Sequence, residues 1–140
     1  MGRYFLGIEI TRYNTGTFFN QRKYVLDILS DAGFTGAKPA KFPLPKVLKL
    51  STKKGTMLAN PEPYRRVIGR LLYLTLTRPD ISYGVQHLSQ FLQQPNDLYY
   101  QAAMHVLRYL KGTPNKGVFF QKLTTFRSLL IVMLIGELVG

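Results

Sequence analysis

Three amphipathic segments between residues 59 and 112 constrain the fold more than any other feature of this sequence. Apolar residues recur in each segment at spacings of three and four, which predicts helices with one buried face. Proline separates the segments at Pro61, Pro79 and Pro95, because proline is tolerated in the first turn of a helix but disrupts its interior. We therefore predict a compact unit of three helices joined by tight turns.

Each predicted helix has its own boundary signals. Residues 60–63, Asn-Pro-Glu-Pro, start the first helix, with Glu62 suited to the positive end of the helix dipole. Asp80 is placed to cap the second helix, while residues 95–97 end that helix and cap the third, which Gly112 terminates. The side chains expected in the core are Val67, Ile68, Leu71, Leu72, Leu74, Ile81, Val85, Leu88, Leu92, Leu98, Ala102, Val106, Tyr109 and Leu110.

Alternating apolar residues near the start of the chain predict a β-hairpin. Residues 3–10 form one strand, the turn signal Asn-Thr-Gly follows at residues 14–16, and residues 17–19 return. A two-stranded hairpin is marginal alone, so it needs further strands. Residues 117–121 predict one more short strand. The residues expected to share one face of the first strand are Tyr4, Leu6, Ile8 and Ile10.

A further helix is predicted from Asn20, its cap, to about Ala32, with Gly33 as its stop. Asp27 and Asp31 lie on its more polar side and are expected to be solvated surface. The chain thus combines a hairpin, a helix and a helical unit, which is an α+β fold. The apolar stripe predicted for this helix consists of Tyr24, Val25, Ile28 and Leu29.

Basic residues dominate the charge of this 140-residue chain, since 19 lysines and arginines against 7 aspartates and glutamates give a net charge of +12. A polyanion is therefore the first partner to consider. Residues 37–58 are rich in lysine and proline and predict an extended connector, either a phosphate-tracking loop or an ordinary solvated linker. The arginines of the helical unit form either one cationic face or ordinary helix solvation.

The acidic, histidine and cysteine content argues against catalysis by this chain. Polymerases, nucleases and glycosidases need carboxylates that converge on metal ions or a scissile bond, and only Asp27 and Asp31 lie within one helical turn of each other. His87 and His105 fall in helical patterns, His105 at the core edge, and without any cysteine they make a weak metal site. No glycine-rich phosphate loop is present. We predict no catalytic residue, metal or cofactor.

Neither end of the sequence predicts a membrane segment. No apolar stretch near Met1 has the pattern of a secretory signal, so an intracellular protein is expected. Leu129–Ile135 is apolar but far shorter than the roughly 20 residues that span a bilayer. A buried or aggregation-prone strand is the interpretation we prefer for this segment.

Four motifs, in this order, carry a resemblance to a known family. They are YFLGIEI at residues 4–10, QRKYVLDIL at 21–29, YRRVIGRLLYLTLTRPDISYGV at 64–85 and AAMHVLRYLKGT at 102–113. Together they resemble the Pol polyprotein of copia-type LTR retrotransposons, especially those of plants, over residues 3–121. The resemblance implies the C-terminal part of the reverse transcriptase region, whose parent enzyme performs RNA-directed DNA synthesis with Mg²⁺.

The resemblance also implies roles for two parts of the chain. The hairpin is similar to the palm hairpin that grips the primer strand, and residues 59–112 are similar to the thumb and the connection toward ribonuclease H. The partner implied is an RNA–DNA hybrid or duplex, bound through phosphates. The primer-grip-like residues are Phe5, Leu6, Gly7, Ile8 and Glu9. The candidate phosphate contacts are Lys38, Lys41, Lys46, Arg65, Arg66, Arg70, Arg78, Arg108 and Lys111.

The sequence departs from the family at both ends. The Tyr-Val-Asp-Asp segment with the polymerase aspartates, the fingers and most of the palm are missing, and so is ribonuclease H. We therefore expect a fragment without activity. The alternatives are a non-catalytic nucleic-acid-binding module, or a gene-model product with no selected function.

The last residues fit a shifted reading frame. Allowed codons for Leu130 to Gly140, read two bases later, encode Tyr-Cys-Asp-Ala-Asp-Trp-Gly-Thr-Cys, which resembles the start of the family's ribonuclease H. We infer a frameshift near residues 121–129. The predicted organisation is a palm-end-like hairpin and helix (1–36), a basic connector (37–58), a helical unit with a final strand (59–121) and a frameshifted tail (122–140).

Overall fold

The computed structural model describes residues 2–5, 7–34, 36, 38–44, 55–121 and 134. In this part of the chain an antiparallel sheet packs beside a helical core, which confirms the predicted α+β class. The strands are β1 (Gly2–Phe5), β2 (Ile8–Tyr13), β3 (Gly16–Asn20) and β4 (Gly117–Gln121). The helices are α1 (Arg22–Asp31), α2 (Glu62–Leu74), α3 (Pro79–Ser89) and α4 (Asp97–Gly112).

The predicted hairpin is present as β2 and β3, and the sheet has the order β1-β2-β3-β4. The prediction of one continuous strand over residues 3–10 is wrong. Gly7 has a φ of 83° and reverses the chain, so that β1 folds back on β2 with Phe5 opposite Ile8. The strand predicted at residues 117–121 is confirmed and pairs with β3. The chain therefore supplies the extra strands that a lone hairpin needs.

Because side chains alternate along each strand, one face of the sheet is turned toward the interior of the protein. Ile8 and Phe19 are buried there, and Ile10, Val118 and Phe120 pack around them. Leu76, which follows α2, joins the same cluster. The sheet is thus anchored to the helices through the end of α2.

One hydrophobic cluster draws on all four helices. The α1 residues Val25, Ile28 and Leu29 are buried in it, as their predicted stripe requires. Because α1 shares this core and β4 completes the sheet of β1–β3, the segments 1–36 and 59–121 are packed together. The buried residues of the other helices include Ile68, Leu71, Leu74, Ile81, Val85, Leu88, Ala102, Val106, Tyr109 and Leu110.

Four core positions predicted for the helical unit are less buried than expected, and one of them, Val67, is half-buried at the edge of the cluster. Leu72 is 37% exposed, because it lies one residue beyond Leu71 on the turn of α2 and so faces away from the core. Leu92 and Leu98 are half-buried. Leu92 follows the end of α3 at Ser89, so the helical spacing on which its prediction depended no longer applies.

The predicted cap is confirmed at α4 but not at α1 or α3, since Gln21 and not Asn20 holds the cap position of α1. The Asn96 side chain accepts a hydrogen bond from the Tyr99 amide, 2.9 Å away, and caps α4. Asn20 accepts from the Arg22 amide at 3.0 Å. Asp80 does not cap α3, since that helix begins at Pro79 with Arg78 in the cap position. Instead, the carboxylate of Asp80 accepts hydrogen bonds from a neighbouring side chain.

Arg78 is that side chain, and it is only 1% exposed. Its guanidinium donates to both Asp80 carboxylate oxygens, at 3.1 and 2.9 Å. It also donates to the Thr113 carbonyl and hydroxyl, each at 2.8 Å. Tyr109 donates to Asp80 at 2.6 Å and completes the cluster. These bonds join the start of α3 to the end of α4.

The pKa of Asp80 reflects this cluster. Burial alone raises it, but the hydrogen bonds from Arg78 and Tyr109 and the guanidinium charge outweigh burial and lower the pKa below its ordinary value of 3.8. The ionised carboxylate is therefore the form that the folded protein stabilises.

The described parts of the connector lie against the helical unit. The Ala40 amide donates to the Arg108 carbonyl at 3.1 Å, and the His105 ring lies 2.9 Å from the Phe42 carbonyl oxygen. The Leu58 amide donates to the Pro95 carbonyl at 3.0 Å. Residues 45–54 lie outside the described part, as does the tail except Leu134. Among the described helices, none is both long enough and apolar enough to cross a membrane.

Replacing the buried guanidinium tests the weight of the Arg78 cluster. We expect Arg78→Met to lower the free energy of unfolding by about 2–4 kcal/mol, because it leaves the Asp80 carboxylate partly buried without its cation. Urea unfolding followed by circular dichroism measures the change. The exposed Arg66→Met serves as the matched control and should change stability by less than about 0.5 kcal/mol. Equal effects of the two substitutions would contradict the assignment.

Acid should weaken the same cluster. A carboxylate with a depressed folded-state pKa contributes stability above its unfolded-state pKa, and this is lost as the pH falls through the folded-state value. The stability difference between the natural chain and Asp80→Asn should therefore be constant from about pH 5 to 8 and shrink below roughly pH 4. Urea unfolding at several pH values measures this stability difference. A difference that is as large at about pH 2 as at neutral pH would refute the linkage.

Candidate nucleic-acid interface

The candidate phosphate contacts on α2 fall into two structural classes. Arg65 is used within the fold, because its guanidinium donates to the Leu92 carbonyl at 2.7 Å and to Glu62 at 2.8 Å. Arg66 is exposed and makes no ion pair or hydrogen bond within the described residues. Arg70 is ion-paired with Asp31 of α1 at 2.6 Å. Arg66 is therefore the α2 guanidinium that is ready to meet a phosphate.

Arg66 and Arg70 lie on the rim of a cleft of about 440 Å³ between α1, α2 and α4. The cleft is lined by polar and apolar surface in nearly equal measure, and Asp31 supplies a carboxylate opposite Arg70. An anion that enters the cleft competes with Asp31 for the Arg70 guanidinium. The residues that line the cleft include Ile28, Asp31, Arg66, Arg70, Tyr100 and Met104.

The α4 contacts continue from this cleft. Met104, Arg108 and Lys111 are spaced by four and three residues, so they share one face of the helix. Arg108 bonds to the His105 ring nitrogen at 3.0 Å and is half-buried. One cationic face therefore runs from the cleft toward the C-terminal end of α4.

Two connector lysines reach the same end of α4. Lys38 and Lys41 are exposed, and they flank Pro39 and Ala40, which contact α4 at Gly112 and Arg108. Lys46 lies outside the described residues. The structure thus brings Lys38 and Lys41 to the end of the helix that carries Arg108 and Lys111.

Arg78 does not belong to this surface. Its burial and its bonds to Asp80 and Thr113 leave no donor facing solvent. Its inclusion among the surface contacts rested on the tendency of arginine to lie outside, which does not hold at this position.

The primer-grip-like residues are also divided by the fold. Ile8 is 1% exposed and belongs to the core. Gly7 is exposed at the turn between β1 and β2, and Glu9 is half-buried on the opposite face of the sheet from Ile8. Phe5 pairs with Ile8 through its backbone, and Leu6 lies outside the described residues. Among the residues of this set whose exposure the structure describes, Gly7 and Glu9 are the ones that solvent reaches.

Sequence reasoning missed two walls of the cleft, Tyr100 and Met104. Their four-residue spacing on α4 was a usable signal, because it places them on one helix face beside the predicted core stripe. Burial also raises the pKa of Tyr24 on α1, which the Arg70 charge partly offsets, so this tyrosine sits near the cleft in its neutral form.

Within the described part of the chain, no group of three or more histidine or acidic side chains is arranged to hold a metal ion. Four carboxylates are occupied elsewhere. Asp31 pairs with Arg70, Glu62 with Arg65 and Asp80 with Arg78, while Asp97 accepts from the Thr56 amide at 2.9 Å. The described residues therefore do not fit a two-metal centre.

Comparison with known proteins finds relatives that are mostly retrovirus-related Pol polyproteins of plant transposons. The chain is 49% identical over 119 residues to the retrovirus-related Pol polyprotein from transposon RE1 of Arabidopsis thaliana, and 45% identical to that from transposon RE2. Each match covers 85% of this chain but 8% of the relative. An uncharacterized mitochondrial protein of the same plant is 42% identical over 120 residues, with 49% of its length covered.

No protein-family model matches the chain, and no solved structure does. The chain spans about 8% of the length of the RE1 and RE2 polyproteins. The Pol polyprotein from transposon TNT 1-94 of Nicotiana tabacum is also similar, at 37% identity over 82% of the chain. The four quoted motifs and these matches agree. The chain is therefore a homologue of a short segment of the retrovirus-related Pol polyproteins of copia-type transposons.

Proposed function

We propose that the chain corresponds to the C-terminal part of the reverse transcriptase region of such a polyprotein and does not polymerise by itself. Two-metal nucleotidyl transfer requires carboxylates that converge on the metal pair. The observation that carries the proposal is that Asp31, Glu62 and Asp80 are each held by an arginine. The sequence also contains no Tyr-Val-Asp-Asp segment. The metal-binding chemistry of the parent enzyme therefore has no counterpart among these residues.

Primer extension tests this proposal. The purified chain with Mg²⁺, deoxynucleotides and an RNA template carrying a DNA primer should give no extended product. An active reverse transcriptase under the same conditions is the positive control. Extension by the chain that survives its repurification would overturn the proposal.

We further propose that the chain binds duplex nucleic acid through phosphates. Support comes from the cationic face formed by Arg66, Arg70, Arg108 and Lys111, with Lys38 and Lys41 beside it. Binding of this kind depends on shape and charge, so it is tolerant of sequence and weakens steeply with salt. The primer-grip role of Gly7 and Glu9 is part of the same proposal, since both are accessible at the sheet.

The salt dependence of binding measures the number of phosphate contacts. We expect fluorescence anisotropy with a labelled 20-base-pair RNA–DNA hybrid or DNA duplex to give log K falling linearly with log salt. The double variant Lys41→Gln/Arg66→Gln should reduce the slope by about 2, because each lost phosphate contact removes about one unit. Affinity should fall by a similar factor for unrelated sequences.

The double variant Arg22→Gln/Lys23→Gln is the matched control. It removes the same charge from exposed residues at the start of α1, outside the cationic face. A salt-independent affinity, or equal changes in the two double variants, would contradict binding at this face.

A reading-frame shift near residues 121–129 is the third element of the proposal. It is supported by the encoded Tyr-Cys-Asp-Ala-Asp-Trp-Gly-Thr-Cys in the alternative frame. Sequencing the genomic locus and its transcript tests the shift directly. A locus in which no such segment lies in a shifted frame would refute it.

A further inference from the structure

The connector lies along α4 and meets the helix at two residues one turn apart. The Ala40 amide donates to the Arg108 carbonyl at 3.1 Å. Two residues later in the connector, the Phe42 carbonyl oxygen lies 2.9 Å from Nε2 of His105. Leu44 then reaches α3. The His105 ring is therefore bounded by the connector on one side and by Arg108 on the other.

The two contacts of the His105 ring fix its protonation state. Nε2 faces the Phe42 carbonyl oxygen, and Nδ1 lies 3.0 Å from Nη2 of Arg108. A carbonyl oxygen only accepts, so Nε2 must carry a proton. A guanidinium only donates, so Nδ1 must be the nitrogen without a proton. The neutral ring with its proton on Nε2 is the form that satisfies both hydrogen bonds.

A second proton on this ring would bind at Nδ1, directly against Arg108. Two donors and two positive charges would then face each other, and the hydrogen bond would become a repulsion. The bond to Phe42 would persist, because Nε2 keeps its proton. Arg108 is half-buried, so its long side chain can turn outward while the ring stays bound to the connector.

The surroundings of His105 supply more cations than free carboxylates. Within the described residues no carboxylate forms an ion pair with the ring. Asp31 and Asp80 are paired with arginines, and Asp97 accepts from a backbone amide at the other end of α4. The charged side chains and the second histidine on the connector, on α3 and α4 and at the cleft are Lys38, Lys41, Asp31, Arg66, Arg70, Asp80, His87, Asp97, Arg108 and Lys111.

We propose that His105 is a pH-dependent positioning residue of the cationic face. The neutral ring holds the Arg108 guanidinium, and the protonated ring releases it toward solvent and adds its own charge. This inference rests on the proposed duplex binding, because the released guanidinium acts by meeting a phosphate. Histidine changes its charge between about pH 5 and 8. By reciprocity, a bound polyanion favours the protonated ring.

The ring spectra of the free protein test the geometry without any nucleic acid. Long-range ¹H–¹⁵N correlation at about pH 8 should show His105 with a proton on Nε2 alone, and at about pH 5.5 with protons on both nitrogens. The Arg108 side-chain signals should move in the same titration. His105→Gln and His87→Gln assign the two rings, which are the two histidines of the chain. A neutral His105 with its proton on Nδ1 would overturn the proposal.

The pH profile of duplex binding supplies the second measurement. By anisotropy with a 20-base-pair DNA duplex, the natural chain should bind about 3- to 10-fold more tightly at about pH 5.5 than at pH 8. The slope of log K against log salt should steepen by about 1–2, because two further cationic groups reach phosphates. His105→Gln keeps a neutral donor and acceptor, so it should bind at both pH values as the natural chain does at pH 8.

Two further variants separate positioning from simple charge. His87→Gln is the matched control, because it removes the other histidine and should keep the full pH response. In Arg108→Gln the protonated ring adds its own charge alone, so the change in slope should fall to about one or less. Circular dichroism melting verifies that each variant is folded.

The outcomes separate this proposal from the proposed function. Duplex binding that does not change with pH, or a pH response that persists in His105→Gln, overturns the role of His105 and leaves the cationic face standing. A full response in Arg108→Gln overturns the positioning of Arg108. Absence of duplex binding at both pH values overturns the proposed function and this regulation of it, while the ring spectra still decide whether His105 holds Arg108.

Discussion

The buried Arg78 guanidinium is the interaction on which the helical part of this protein depends. It lies at the junction of α2 and α3 and reaches Thr113 beyond the end of α4, while Asp80 and Tyr109 close the cluster. A buried cation without partners is strongly destabilising, so all of these groups must be in place together. Thr113 lies just before β4, whose pairing with β3 completes the sheet. One side chain thus couples the helical core to the sheet.

Local patterns predicted most of the elements, and distant contacts account for the errors. The helices followed from apolar spacing, and Asn96 and Gly112 marked their ends as expected. Arg78 was assigned to the surface because its partner Thr113 lies 35 residues away in the sequence. Nothing in the local pattern distinguishes it from the other cations. The turn at Gly7 was not predicted, because the alternation of apolar residues carries no information about a residue that adopts a left-handed conformation.

The cations of the candidate site have two different uses. Arg65 and Arg78 hold loops and helix ends, whereas Arg66 faces solvent at the rim of the cleft between α1, α2 and α4. The sequence pattern assigned Arg65 and Arg66 the same role, because they are neighbours. Only the packing of the helices shows that Arg65 bonds within the fold while Arg66 faces solvent. The same holds for the sheet, where alternation divides its aromatic residues between the core and an open face. The proposed nucleic-acid surface is therefore the cationic face of α2 and α4, whose guanidinium and ammonium groups suit the phosphates of a duplex.

Chemical-shift mapping of the ¹⁵N-labelled chain tests the cationic face most directly. Titration with a DNA duplex should shift amides around Arg66, Met104 and Lys111. Amides around Arg78 should stay unmoved, because that cluster is internal. Unchanged amides along the cationic face, or shifts centred on Arg78, would contradict the account.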